Sequence, residues 1–202
     1  QWILGMHVQR NREKRQATLD QSRHVNDILA KNGMTDCNPT ASPSDAKVSL
    51  SKTMAPSSPD DKAFVSRQPH SCASYVGSVL YAALTTRFDA SFAVNSVGRH
   101  SAWPGPAHFS AVKRILRYLK GSHMHCIRCG TSSINNFSTQ PLLYAYSDSD
   151  WAACNDTRAS TSCHVIYFCG GPVQAVTRRL KCIALSSTEA ECYAMSDASR
   201  EI

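Results

Sequence analysis

The chain has 202 residues, 42% hydrophobic and 18% charged, a balance that excludes an intrinsically disordered segment and a membrane-embedded bundle. No apolar run approaches the roughly 20 residues needed to cross a bilayer, and no charged-then-apolar leader is recognisable. The formal net charge of +7 favours a polyanionic partner without saying anything about fold. Nine cysteines, an odd number without regular spacing, argue against a disulfide scaffold and read as reduced, intracellular and core-filling. The first residue, Gln1, lies inside an apparent strand, so the sequence reads as a piece of a longer chain.

The first elements are two short strands, Trp2–Val8 and Gln16–Leu19, around the charged turn Arg10–Arg15. Asp20 stands where an N-cap belongs, before a helix with Val25, Ile28 and Leu29 on one stripe and Gly33 as its stop. Residues 38–61 are rich in Pro, Ser and Asp and read as a linker or a strap crossing the surface. Helical spacing then returns over Ser71–Thr86, with Tyr75, Val76, Val79, Leu80 and Ala83, and over the shorter stretch Phe88–His100. Pro106 opens a helix that runs over Ala107–Lys120. It places Val112, Ile115, Leu116 and Leu119 inward and Lys113, Arg114, Arg117 and Lys120 on the other side. That basic face is either a solvated surface or a contact for nucleic-acid phosphates.

Gly121 ends this helix, and His123–Gly130 reads as a strand. Its Cys126-x-x-Cys129 lacks the second pair that a zinc finger requires. A polar segment, residues 131–141, reads as a linker between two domains. Strand candidates follow at Leu142–Asp148, Ser162–Cys169 and Pro172–Thr177, the last two joined by a tight turn at Gly170-Gly171. Lys181–Leu185 is a possible fourth strand, and Ser186–Ile202 a closing helix.

Two pairs of carboxylates stand out in this half. Asp148 and Asp150 end the first strand, where they serve either as a polar turn or as oxygen ligands for a hard divalent cation. On the last helix, Ser186 and Glu189 have the spacing of a capping box, which gives Glu189 a structural task. Glu191, about 200° further round, shares a stripe with Met195, Ala198 and Ile202, the face expected to pack on the sheet. Two bare carboxylates repel, so Asp148 and Glu191 would meet only across a shared cation.

Several ordered motifs carry a resemblance: YSDSDWA at 146–152, Arg158–Ser162, Gly170–Pro172 and LSSTEAECYAMSDA at 185–198. Together they resemble the ribonuclease H domain of copia-type retrotransposon Pol polyproteins. Upstream, Ile3–Val8, Gly33–Pro39, Ser74–Tyr81 and Ala111–Gly121 resemble the same polyprotein just before that domain. The resemblance implies a mixed α+β and α/β architecture in three parts. Residues 1–130 would be the C-terminal reverse-transcriptase region (post-palm strand, helical thumb and connection), 131–141 the linker, and 142–202 a partial ribonuclease H-like fold. That partial fold would hold an antiparallel three-stranded sheet and its first helix.

The activity implied is metal-dependent hydrolysis of RNA in RNA–DNA hybrids, with Asp148 and Glu191 as catalytic residues and ligands of Mg2+ or Mn2+. Asp150 and Glu189 compete for those roles. Further carboxylates of the family lie beyond Ile202 and its polymerase aspartates lie before Gln1, so the chain as it stands is expected to be inactive. Smaller departures are Thr86-Arg87-Phe88-Asp89, where the family has TRPD, and a missing tryptophan near Ala175. The implied partners are an RNA–DNA hybrid or other nucleic acid and the remainder of the polyprotein, with no membrane, in an intracellular setting (cytoplasm, virus-like particle or nucleus). The alternative of another class is a non-catalytic nucleic-acid-binding module built on Lys113, Arg114, Arg117 and Lys120.

Overall fold

The computed structural model describes residues 1–130 and 142–202, and the expected linker at 131–141 lies outside the described residues. The described fold is α+β, two antiparallel sheets with helices packed between and upon them. The first sheet has strands β1 (Trp2–Ile3), β2 (Met6–Asn11), β3 (Gln16–Asp20) and β4 (Cys126–Cys129), in that order. The single strand expected over Trp2–Val8 is broken because Leu4 and Gly5 turn with positive φ, at 51° and 77°. The Cys126-x-x-Cys129 stretch is strand β4, paired with β3.

Helix α1 (Ser22–Lys31) buries Val25, Ile28 and Leu29, as its stripe predicts. Asp20 sits one residue before the N-cap, and its carboxylate accepts from the Ser22 amide (3.2 Å) and hydroxyl (2.7 Å). Helix α2 (Pro59–Ser66) arises inside the stretch read as linker. Ser58 accepts from the Asp61 amide at 3.0 Å, and Asp61 accepts from the Ser58 amide at 3.2 Å, a reciprocal cap with Pro59 in the first turn. Helices α3 (Cys72–Thr85), α4 (Ser91–Gly98) and α5 (Pro106–Gly121) complete this layer. Tyr75, Val79, Val94, Phe109, Val112, Ile115, Leu116 and Leu119 join the α1 residues in one apolar core. Of the nine cysteines only Cys72 is buried, so the expectation that they fill the core holds for that one alone. Of the others, Cys126, Cys182 and Cys192 are exposed and the remaining five are half-buried.

Residues 38–55 form the strap, laid antiparallel along α5. Pro39 packs against Gly121 at the helix C-terminal end, and Met54 crosses Gly105 at the N-terminal end. A 16-residue helix is about 24 Å long, a span that a partly extended strap of this length covers easily. A Cβ on Gly105 would collide with the Met54 carbonyl, which is why this crossing needs glycine.

The second sheet is a meander, β5 (Leu143–Ser149), β6 (Thr161–Phe168) and β7 (Gly171–Arg179). The turn between β6 and β7 falls at Cys169-Gly170, with φ of 50° and 77°, one residue earlier than expected. Gly171 already belongs to β7, and Lys181–Leu185 is not a strand. Helix α6 (Ser187–Ser199) packs on β5 and β6. No helix among the described residues is long and apolar enough to cross a membrane.

Candidate functional site

β5 and β6 pair in continuous register from Leu143 opposite Phe168 to Ser149 opposite Ser162, which sets Asp148 beside Cys163. Side chains alternate across a strand, so Asp148 shares its face with Tyr144, Tyr146, Cys163 and Tyr167. On that face Tyr144 and Tyr167 stack with centroids 5.1 Å apart. Asp148 is exposed and accepts no hydrogen bond from the described residues. Asp150 differs: its amide donates to the Thr161 carbonyl at 3.0 Å, and its carboxylate accepts from the Thr161 amide. This closes the mouth of the β5–β6 connection and gives Asp150 a structural task.

The same distinction appears on α6. Ser186 caps the helix by accepting from the Glu189 amide at 3.1 Å. Glu189 reaches back to the Leu185 amide at 2.7 Å, one residue earlier than the expected capping box, and also accepts from the Tyr193 hydroxyl. The buried stripe is Ala190, Ala194 and Ala198, none above 5% exposed. The stripe expected from sequence is corrected accordingly, because Glu191, Met195 and Ile202 are all exposed. Alanines four apart let the helix axis approach the strands closely, and this outweighs the larger apolar groups on the neighbouring stripe.

An ion pair and a hydrogen bond identify which sheet face α6 covers. Asp197 pairs with Arg178 at 3.0 Å, and Glu201 accepts from Gln174 at 3.3 Å. Arg178 and Gln174 stand opposite Ser162 and Ile166, which with His164 are buried beneath the helix. By alternation Asp148 projects from the other face of β5, and Glu191 is exposed on α6. Both charges, with Asp150, still reach the Cys163 thiol; burial first and then these carboxylates raise its pKa. Among the described residues no three His, Cys, Asp or Glu side chains come together as a metal site.

Three of the four basic residues of α5 have partners within the chain. Arg117 Nε donates to the Asn38 carbonyl at 2.6 Å, and Arg114 donates to Ser42 Oγ at 3.0 Å and pairs with Asp45 at 3.5 Å. Lys113 Nζ donates to Gln68 Oε1 at 2.9 Å, beyond the end of α2. Lys120 is half-buried and has no side-chain partner among the described residues. Three of the four cations thus hold the strap and α2 on the core. Changing Lys113, Arg114 and Arg117 together to Ser is expected to cost about 2–4 kcal/mol, summed over three hydrogen-bonded groups. Urea unfolding reads this, and limited proteolysis should then cut within residues 38–55. Unchanged stability with a flattened salt dependence of duplex binding would instead assign these residues to phosphates.

Between strap, α4, α5 and the loop after β5 lies a cavity of about 750 Å³, with Leu50, Phe92, Val97, Arg114, Asp150 and Arg179 in its walls. Neither Asp148 nor Glu191 lines it. A polar centre that sequence reasoning missed lies deeper, at Arg87, which is 1% exposed. It donates to both oxygens of Asp89 (3.1 and 2.7 Å), to the Ser122 carbonyl (3.1 Å) and to the Ser122 hydroxyl. The Tyr118 hydroxyl completes the network on Asp89. The available signal was the Thr86–Asp89 motif itself, whose Arg and Asp are the two partners.

Comparison with known proteins matches this whole region. The chain is 36% identical to the retrovirus-related Pol polyprotein from transposon TNT 1-94 of Nicotiana tabacum over 202 residues, all of this chain and 14% of that relative. It is 34% identical to the retrovirus-related Pol polyprotein from transposon RE2 of Arabidopsis thaliana over 91% of this chain and 12% of the relative. It thus spans about one-seventh or less of the length of these two polyproteins. A shorter relative, the uncharacterized mitochondrial protein AtMg00810 of Arabidopsis thaliana, is 33% identical over 91% of this chain and 70% of its own length. No family model matches the sequence. No solved structure matches the fold. Identity sustained over most of the chain, across the strap, α5 and the β5–α6 unit alike, means that this chain belongs to the retrovirus-related Pol polyproteins of copia-type transposons, as a segment of one.

Proposed function

We propose that the chain is the junction of a Pol polyprotein. Residues 1–130 are the C-terminal part of its reverse transcriptase, 131–141 a linker, and 142–202 the first half of a ribonuclease H-like domain. The motif order supports this, as does the β5–β6–β7 meander followed by α6. In this reading the whole polyprotein hydrolyses RNA in RNA–DNA hybrids with Mg2+ or Mn2+. Asp148 and Glu191 are its two carboxylates in this segment, and they come to share a cation only with the rest of the domain in place. By itself the segment does not cleave.

One observation supports that last point: among the described residues no three His, Cys, Asp or Glu side chains come together as a metal site. The test is a gel assay with an end-labelled RNA–DNA duplex and Mg2+. The chain alone leaves the RNA intact. A protein extended by the sequence that follows in its relatives cleaves it, and Asp148→Asn or Glu191→Gln removes that cleavage. Cleavage by the unextended chain that disappears with Asp148→Asn would overturn the reading.

A further inference from the structure

The first sheet meets the second where Cys129 lies against the β6–β7 hairpin that turns at Cys169. β4 closes the first sheet on Cys129, and the β6–β7 hairpin of the second turns at Cys169 beside it. The Gly130 amide donates to the Cys169 carbonyl at 2.8 Å. Backbones joined in this way run about 5 Å apart. The bond is made by the residue that follows Cys129, so a disulfide, which needs a Cα separation of about 4.4–6.8 Å, would bridge adjacent backbones. The approach is so close that a Cβ on Gly171 would collide with Cys129 Sγ and the Arg128 carbonyl. Glycine at 171 is what lets the thiol lie against the turn. Burial and the neighbouring charge of Cys169 both raise the Cys129 thiol above its ordinary pKa. Both cysteines are half-buried and reduced.

We propose that Cys129 and Cys169 are a thiol-oxidation site, forming a reversible disulfide that fastens the first sheet to the second. The oxidant is a low-molecular-weight disulfide of the glutathione class. One protein thiolate attacks a sulfur of that reagent, forming a mixed disulfide and releasing one small thiolate. The second protein thiolate attacks the protein sulfur of the mixed disulfide, forming the Cys129–Cys169 bond and releasing the other. Two protein thiols are oxidised, the reagent is reduced to two thiols, and an excess of free thiol reverses the exchange. Cys126 does not compete for Cys129, because an odd spacing along β4 sends their side chains to opposite faces.

The full chain is incubated with oxidised glutathione, quenched with N-ethylmaleimide, digested without reduction and mapped by mass spectrometry. The expected product is a single cross-linked peptide joining Cys129 to Cys169, in a chain lighter by two hydrogen atoms. Its melting temperature should rise by about 5–10 °C, as expected for a loop of this length closed in a chain of this size. Cys126→Ser keeps both effects, and Cys169→Ser loses both. Recovery of Cys129 only as a maleimide or glutathione adduct, its linkage to another cysteine, or an unchanged rise in Cys169→Ser would overturn the proposal.

Discussion

Arg87→Ala is expected to lower the unfolding free energy by about 3–4 kcal/mol, toward the lower end for removal of one partner of a buried pair. The lower end applies because the Asp89 side chain keeps 36% of its surface in water and can rehydrate. The rest of the loss comes from the hole left at a 1% exposed site and from the Ser122 groups stranded within it. Arg87→Lys should recover only part of this, since an ammonium cannot grip both Asp89 oxygens and Ser122 from one plane. Urea unfolding followed by circular dichroism measures the effect, and a loss below about 1 kcal/mol would contradict this role for the guanidinium. Burial raises the Asp89 pKa, but hydrogen bonds from Arg87 and Tyr118 and the Arg87 charge outweigh it and leave it lowered. That part of the stability is present above the unfolded value of 3.8 and is lost as pH falls through the folded one.

A larger loss should begin at milder acidity. His24, His100, His108 and His164 all lie below the ordinary histidine value of 6.5, chiefly through burial. The His108 pKa is lowered further by His100 and opposed by Ser51 and Asp156; that of His164 is lowered by Arg178 and opposed by Glu201 and Asp197. Below about pH 6.5 the unfolded chain protonates these groups while the folded chain keeps them neutral, so the unfolded state binds more protons and stability falls with pH. Each fully shifted histidine contributes a slope of at most about 1.4 kcal/mol per pH unit. His108 gives a structural reason: its Nδ1 accepts from the Gly105 amide at 3.0 Å, which protonation forbids. Urea midpoints at pH 8, 6.5 and 5 should fall steeply over the lower interval, and His108→Gln should reduce that slope. An unchanged slope in His108→Gln would contradict the assignment.

What could be read from the residues followed the length and regularity of each signal. Helices α3 and α5 repeat apolar residues over several turns, so Tyr75 and Val79, and Val112, Ile115 and Leu119, are core positions in any packing that buries those stripes. Short features were harder. The caps that start α2 at Ser58, Pro59 and Asp61 are plain in the sequence, but they sit in a stretch whose composition also makes loops. The strap was legible as a crossing segment, though not as the partner of the α5 cations, because that depends on contacts distant in sequence. Of the carboxylates, the cap role of Glu189 followed from local spacing, and the task of Asp150 did not. The relation between Asp148 and Glu191 depends on which sheet face α6 covers, and alternation along a strand leaves that choice to tertiary packing. Three alanines decided it.

A titration with Mn2+ tests this placement most directly, read through paramagnetic broadening of the amide resonances of the 202-residue chain. Any broadening near Asp148 and near Glu191 is expected to follow separate, non-saturating curves, as for isolated exposed carboxylates. Saturable broadening of both residues along one curve, centred between β5 and α6, would mean a shared ion and would contradict it.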